Sequence, residues 1–163
     1  MDPLQFKVWL LIRPSGNNST SDRLEQVVTA NIFELVPDTH HDLLEATWAA
    51  ALVTLDAQGR PQTTALWYYA DREDGQLKIS LSDGRLKFKH IQANPEIDLF
   101  IVDPANQFHT LEVRGTATIG PDEDRALATK VGAKYDADIS NFDGPGETRY
   151  AVTITPRRVV TNG

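Results

Sequence analysis

From Thr47 onward, runs of β-forming residues follow one another at short intervals, with turn residues between them. In segment 76–82, Leu77, Ile79 and Leu81 alternate with polar residues, which is typical of a strand with one buried face. Several strands in quick succession, with few helices, predict an antiparallel barrel or sandwich rather than a parallel α/β sheet. A barrel also leaves no open sheet edge.

Six strands and three helices are predicted in this part of the chain. The strands are 47–55, 62–70, 76–82, 97–102, 110–119 and a last one within 149–160 that Pro156 interrupts. Short helices are predicted at 41–46 and 85–93, and a longer one from Pro121 to about Gly132. The fold class is therefore mainly β with short helices.

The chain of 163 residues is long enough for one domain with a real core. We assign residues 31–163 to that domain and residues 1–30 to an N-terminal extension. Segment 13–20 is rich in turn residues, and Asp22 with Glu25 has the spacing of a capping box that begins a helix.

A net charge of −7 argues against a partner such as nucleic acid or an anionic membrane, which would need a broad positive field. The apolar run 8–12 is too short for a membrane helix and lacks the flanks of a secretory signal. The chain has no cysteine, which fits a reducing compartment. We therefore expect a cytoplasmic protein with small-molecule or protein partners.

One corner of the sequence predicts a phosphate site. Ser80 and Ser82 lie on one face of a strand, and Arg85 and Lys87 follow where a helix begins. Cations are unfavourable in the first turn of a helix unless an anion also lies there. Hydroxyl and guanidinium groups are suited to phosphate oxygens. The alternative is an ordinary solvated turn with two surface cations.

The strand before this corner is the second candidate, because its small side chains would let a flat ring lie against it. Its residues are Gln62, Thr63, Thr64, Ala65, Leu66 and Trp67. The alternative is a hairpin of β-forming residues with Trp67 in the core.

Other chemistries find little support in the sequence. His40 and His41 point in different directions on a helix and have no companion ligands, so no metal site is predicted. Hydrolase elbows, dinucleotide fingerprints and phosphate-binding P-loops are missing. Acidic residues at 136, 138 and 143 indicate a solvated connection. No side chain stands out as a catalytic acid or base.

Four motifs in order carry a resemblance to a known family: Gly59-Arg60-Pro61-Gln62, the strand end 79–82, the helix start 85–91, and Asn94-Pro95. Together they resemble the pyridoxamine 5'-phosphate oxidase-like split-barrel family, and most closely its deazaflavin- and flavin-dependent oxidoreductase branch. The resemblance extends from about residue 46 to residue 160. One departure is His90, where the family often has asparagine.

The resemblance implies a six-stranded antiparallel split β-barrel that forms a homodimer with two cofactor sites at its interface. Residues matching Ser80, Arg85 and Lys87 would hold the phosphate of FMN or coenzyme F-420, and strand 62–67 would flank the ring. We therefore expect an oxidoreductase that transfers hydride between F-420 and a small conjugated substrate. An FMN-dependent enzyme and a non-catalytic flavin- or deazaflavin-binding module are the alternatives. The substrate pocket would be built from loops such as 135–147.

Overall fold

The computed structural model describes residues 30–163. Residues 1–29, which include nearly all of the predicted extension and the predicted helix start at Asp22, lie outside the described residues. The four α-helices of the described part are α1 (Ile32–Leu35), α2 (His41–Glu45), α3 (Leu86–Ala93) and α4 (Ala126–Tyr135). None of its helices has the length and apolar character needed to span a bilayer.

Seven strands form a single antiparallel sheet in the order β2-β1-β5-β6-β7-β4-β3. They are β1 (Ala50–Leu55), β2 (Pro61–Leu66), β3 (Tyr69–Asp71), β4 (Gln76–Ser82), β5 (Glu96–Asp103), β6 (Asn106–Pro121) and β7 (Arg149–Asn162). The two edge strands, β2 and β3, are separated in sequence only by Trp67 and Tyr68, so the sheet curls until its edges meet. This arrangement is a split barrel, which confirms the predicted fold class.

The predicted number of six strands was wrong, because segment 62–70 is two strands rather than one. The chain bends at Tyr68, whose side chain is fully buried. The Tyr68 hydroxyl donates to the carbonyl of Leu43. The backbone N–H of Tyr68 donates to the Tyr135 hydroxyl oxygen, with 3.3 Å between nitrogen and oxygen. Burial of this large side chain therefore ends β2 at Leu66 and sends the chain to the opposite edge of the sheet.

The last strand is irregular at Pro156, where the sequence predicts an interruption, but it continues past that residue. Strand β7 extends to Asn162, and the β6–β7 register shifts between Arg114 and Gly115, next to Pro156. A Cβ atom on Gly115 would lie 2.1 Å from the carbonyl oxygen of Thr155, so only glycine fits this close approach. The bulge accommodates the proline within the long pair of strands.

The barrel encloses the main core, in which Leu52, Leu77, Leu99 and Leu111 are fully buried. A smaller cluster lies outside it, where Leu127 and Val131 of α4 pack with Ile139 against the Trp67 side of the sheet. Helix α4 thereby holds the 3-10 turn Ile139–Phe142 beside the split.

Candidate functional site

A cavity of about 390 Å³ lies at the split of the barrel, between the end of β2, the end of β4 and the beginning of α3. Helix α4 and the 3-10 turn Ile139–Phe142 complete its walls. A volume of this size is typical of a small-molecule site. Seven of the ten residues predicted from the sequence line it: Ala65, Leu66, Trp67, Ser80, Ser82, Arg85 and Lys87.

The corner at the end of β4 has the geometry that the sequence predicts. Ser82 is buried, the chain turns at Asp83 and Gly84, and Arg85 is the N-cap residue of α3. Lys87 lies in the first turn, which contains no acidic residue. The serine hydroxyls, the two cations and the positive end of the helix dipole therefore lie together at one side of the cavity.

Arg85 and Lys87 are cations without carboxylate partners in the described part of the chain. None of the ion pairs within residues 30–163 includes either residue. The Arg85 guanidinium donates to the carbonyl of Phe142. Burial, and then the charge of Arg85, lower the pKa of Lys87. A bound anion would stabilise the charged form of Lys87 against both burial and the charge of Arg85. The donors at this corner therefore fit a phosphate.

Arg149 is a site residue that the sequence analysis missed. It lies directly opposite Ser82 in the β4–β7 pair and lines the cavity, with only 7% of its side chain exposed. Its Nη1 lies 3.3 Å from the Ser80 hydroxyl oxygen, and its Nε donates to Asp143 over 2.8 Å. Burial alone would raise the pKa of Asp143, but hydrogen bonds from Arg149 and Arg125 hold it below its usual value.

Glu147 is the second residue that was missed. Its Oε2 atom accepts a 2.8 Å hydrogen bond from the Ser82 hydroxyl and a 3.0 Å bond from the Gly144 N–H. The Gly144 and then the Ser82 hydrogen bond lower the pKa of Glu147. The solvated connection predicted from residues 136, 138 and 143 is partly wrong, because Asp143 is paired with Arg125 and Arg149.

Aromatic rings form another part of the cavity wall. Trp67 stacks on Tyr135 at a centroid distance of 4.6 Å, and Phe142 meets Trp67 edge-on at 5.3 Å. Trp67 and Phe142 line the cavity. Trp67 is half-buried and packs with the α4 cluster outside the barrel, so it is not a residue of the main core. A flat ring system would find a matching surface here.

The other three residues predicted on strand β2 lie outside the cavity lining. Thr63 is exposed, whereas Gln62 and Thr64 pair with Thr54 and Leu52, which are buried. The buried atoms Gln62 Oε1 and Thr64 Oγ1 have no hydrogen-bond partner among the described residues. Their cofactor contact stays a prediction.

The histidines lie away from the cavity. His90 Nδ1 lies 3.1 Å from Thr54 Oγ1, and the tilted rings of His40 and His109 have their centroids 4.5 Å apart. Within residues 30–163 no group of three potential metal ligands is found.

The fold and the cavity define a class: a split β-barrel with a ligand-sized cavity and a basic corner at the split. The family profile for pyridoxamine 5'-phosphate oxidase matches residues 36–162, nearly all of the described chain. The chain therefore belongs to the pyridoxamine 5'-phosphate oxidase-like split-barrel family, a family of flavin-binding oxidoreductases. A search of the curated proteins finds no match.

Among solved structures, an F-420 reductase is 29% identical, covers 77% of this chain and 98% of its own, and has a TM-score of 0.65. Rv2991 of Mycobacterium tuberculosis is 19% identical, over 80% of this chain and 85% of its own, with a TM-score of 0.61. HutZ, the heme storage protein of Vibrio cholerae, is 17% identical over 76% of this chain and 92% of its own, with a TM-score of 0.60. The last two similarities concern the fold alone.

Proposed function

We propose that this protein is an oxidoreductase that binds coenzyme F-420 at the split of the barrel. The observation that carries the proposal is the pair of cations without carboxylate partners, Arg85 and Lys87, facing a cavity with an aromatic wall. The similarity to an F-420 reductase, at 29% identity, supports the choice of cofactor.

In this proposal the residues of the chain hold and orient the cofactor. Arg85, Lys87 and the Ser80 hydroxyl bind its phosphate, while Trp67 and Phe142 cover one side of its ring and exclude water there. The bound deazaflavin supplies hydride transfer to or from a small conjugated substrate. Ile139 and Phe142 border the cavity, and we expect the substrate to enter beside them. We assign no catalytic side chain.

FMN is the main alternative, because the donors of the corner suit any phosphorylated tricyclic cofactor. Heme is less suitable. Heme iron is held by His, Cys, Met or Tyr, and none of these types lines the cavity in the described part of the chain.

Equilibrium titration of the purified protein with F-420 and with FMN tests the proposal. We expect F-420 to bind and reduced F-420 to be oxidised by at least one acceptor in a panel of quinones and enones. FMN retained through purification, with no binding of F-420, would support the FMN-dependent alternative instead. Binding of F-420 without turnover of any acceptor would favour a non-catalytic module.

We also propose a homodimer formed through the outer face of the sheet. This face is defined here by Ala51, Ala65, Phe100, Asp98 and Arg114, which share one side according to the strand register. Phe100 is 39% exposed, and the face carries both carboxylate and guanidinium groups. An exposed ring surrounded by small side chains and charges of both signs suits a two-fold contact with a second copy.

A cytoplasmic location is part of the same proposal. The chain has no cysteine, and F-420 or FMN chemistry on a small metabolite would need no oxidising compartment.

A further inference from the structure

Glu147 places a carboxylate directly beside the corner that is proposed to bind phosphate, next to Ser82 but outside the cavity lining. Its Oε2 atom already accepts hydrogen bonds from the Ser82 hydroxyl and the Gly144 N–H, at 2.8 and 3.0 Å. Its Oε1 atom lies 1.7 Å from where a Cβ on Gly84 would be. The carboxylate thus packs directly against the turn that leads into α3.

The charges around this carboxylate are of both signs. Asp143 is paired with both Arg149 and Arg125, and the charge of Arg85 contributes to the lowered pKa of Glu147. Lys87 faces the cavity and forms no ion pair within the described residues. A phosphate bound in this corner would be attracted by Arg85 and Lys87 and repelled by Glu147, and the repulsion from Glu147 grows with the charge on the phosphate.

The two candidate cofactors differ in the charge on their phosphate. A phosphomonoester, as in FMN, carries about −1.5 to −2 charges at pH 7, because its second pKa is about 6. The phosphate of F-420 is a diester and carries a single charge. The Ser82 hydroxyl, a donor suited to phosphate oxygens, is already bound to Glu147.

We infer that Glu147 is a specificity-determining residue that selects a singly charged phosphodiester over a doubly charged phosphomonoester. This inference rests on the proposed function, since it assumes that the cofactor phosphate binds in this corner. Repulsion of the second charge, together with the occupied Ser82 donor, sets the preference for the deazaflavin.

The substitution Glu147→Gln tests this role, because glutamine keeps the size and an acceptor for Ser82 but removes the charge. Dissociation constants for F-420 and FMN are measured at pH 7.5 for the wild type, for this variant and for the control Glu123→Gln. Glu123 is exposed and, unlike Glu147, forms no hydrogen bond or ion pair with Ser80, Ser82, Arg85 or Lys87. We expect Glu147→Gln to strengthen FMN binding at least about threefold more than F-420 binding. The control should leave the ratio of the two constants unchanged.

A second measurement repeats the FMN titrations of the wild type and of Glu147→Gln at a lower pH. Between pH 7.5 and pH 5.5 the FMN phosphate gains a proton, while Glu147, whose pKa is lowered from 4.5, stays ionised in the wild type. The gain in FMN affinity that Glu147→Gln gives at pH 7.5 should therefore shrink at pH 5.5. A gain that does not change with pH, or equal effects of Glu147→Gln on both cofactors, would overturn the inference and leave the proposed function intact. A wild type that binds neither cofactor would overturn both.

Discussion

The guanidinium of Arg149 lies 3.3 Å from both the carbonyl oxygen and the hydroxyl oxygen of Ser80, and its other nitrogen atoms bind Asp143. One buried side chain thus joins strand β4 to the segment that precedes β7. The cavity wall and the stability of the domain therefore depend on the same interaction.

Replacing Arg149 by alanine should lower the free energy of unfolding by about 2 kcal/mol, because Ser80 and Asp143 would lose a buried donor. Urea denaturation followed by circular dichroism measures the change. Arg157→Ala is the matched control, since Arg157 pairs with Glu96 and is 56% exposed; its effect should stay below about 0.5 kcal/mol. Equal losses in the two variants would contradict the role given to Arg149.

The double substitution Arg85→Ala and Lys87→Ala should weaken cofactor binding at least about tenfold, because each cation contributes about 1 kcal/mol or more to a charged hydrogen bond. The melting temperature should change little, since Arg85 is exposed and neither residue forms an ion pair within the described part of the chain. Lys89→Ala, on the exposed side of the same helix, is the control. Unchanged affinity in the double variant would remove the assignment of the phosphate corner.

Phe142→Ala should reduce cofactor affinity with little effect on stability. The Phe142 ring lines the cavity and meets Trp67 edge-on, yet it is 46% exposed. Its loss removes part of the aromatic wall. Because the ring is largely exposed in the free protein, the loss of buried apolar area is small. Isothermal titration measures affinity, and Phe108→Ala, which removes a 64% exposed ring away from the cavity, serves as the control. If both variants bind equally well, Phe142 does not contact the cofactor.

The free energy of unfolding should fall as the pH rises from about 4 to about 6, because Asp98 is difficult to ionise in the folded state. Burial, and then the neighbouring Glu112, raise the pKa of Asp98 from 3.8 to about 6. The folded state therefore holds a proton that the unfolded chain has already released in this range, so the contribution is lost as the pH increases. Asp98→Asn should remove this slope and add about 1 kcal/mol at pH 7, a value discounted because the side chain is 29% exposed. A difference in unfolding free energy between the two proteins that stays the same at every pH would refute the raised pKa of Asp98.

Phe100→Asp should convert the proposed dimer into a monomer. The substitution places a charge on the outer face, where Asp98 is already difficult to ionise. Sedimentation velocity measures the molecular mass, with Phe108→Asp as a variant that should leave the dimer intact. A wild type that sediments as a monomer at micromolar concentration would rule out the dimer.

The sequence predicts those parts of the fold that depend on local pattern. The alternation in 76–82 and the helix start at Arg85 were predicted correctly, and so was the fold class. The break of segment 62–70 was not, because it is caused by the burial of Tyr68 against Leu43 and Tyr135, which are 25 and 67 residues away. No local propensity carries that information.

The same distinction applies to the site. Ser80, Arg85 and Lys87 lie close together in sequence, so their types and spacing suffice to predict a corner. Arg149 and Glu147 join it only because β7 pairs with β4, a register that single-sequence patterns do not determine. An arginine at the beginning of a strand had no feature that separated it from other surface cations.

The pairing of Ser82 with Arg149 also has a consequence for biosynthesis. A chain emerging from the ribosome has made β4 long before β7, so the corner is incomplete until almost the whole domain has been translated. Because a ligand that binds only the native state stabilises it by mass action, a cofactor bound in this corner would act on the last step of folding. Its binding to a nascent chain would then report that β7 has reached its place in the sheet.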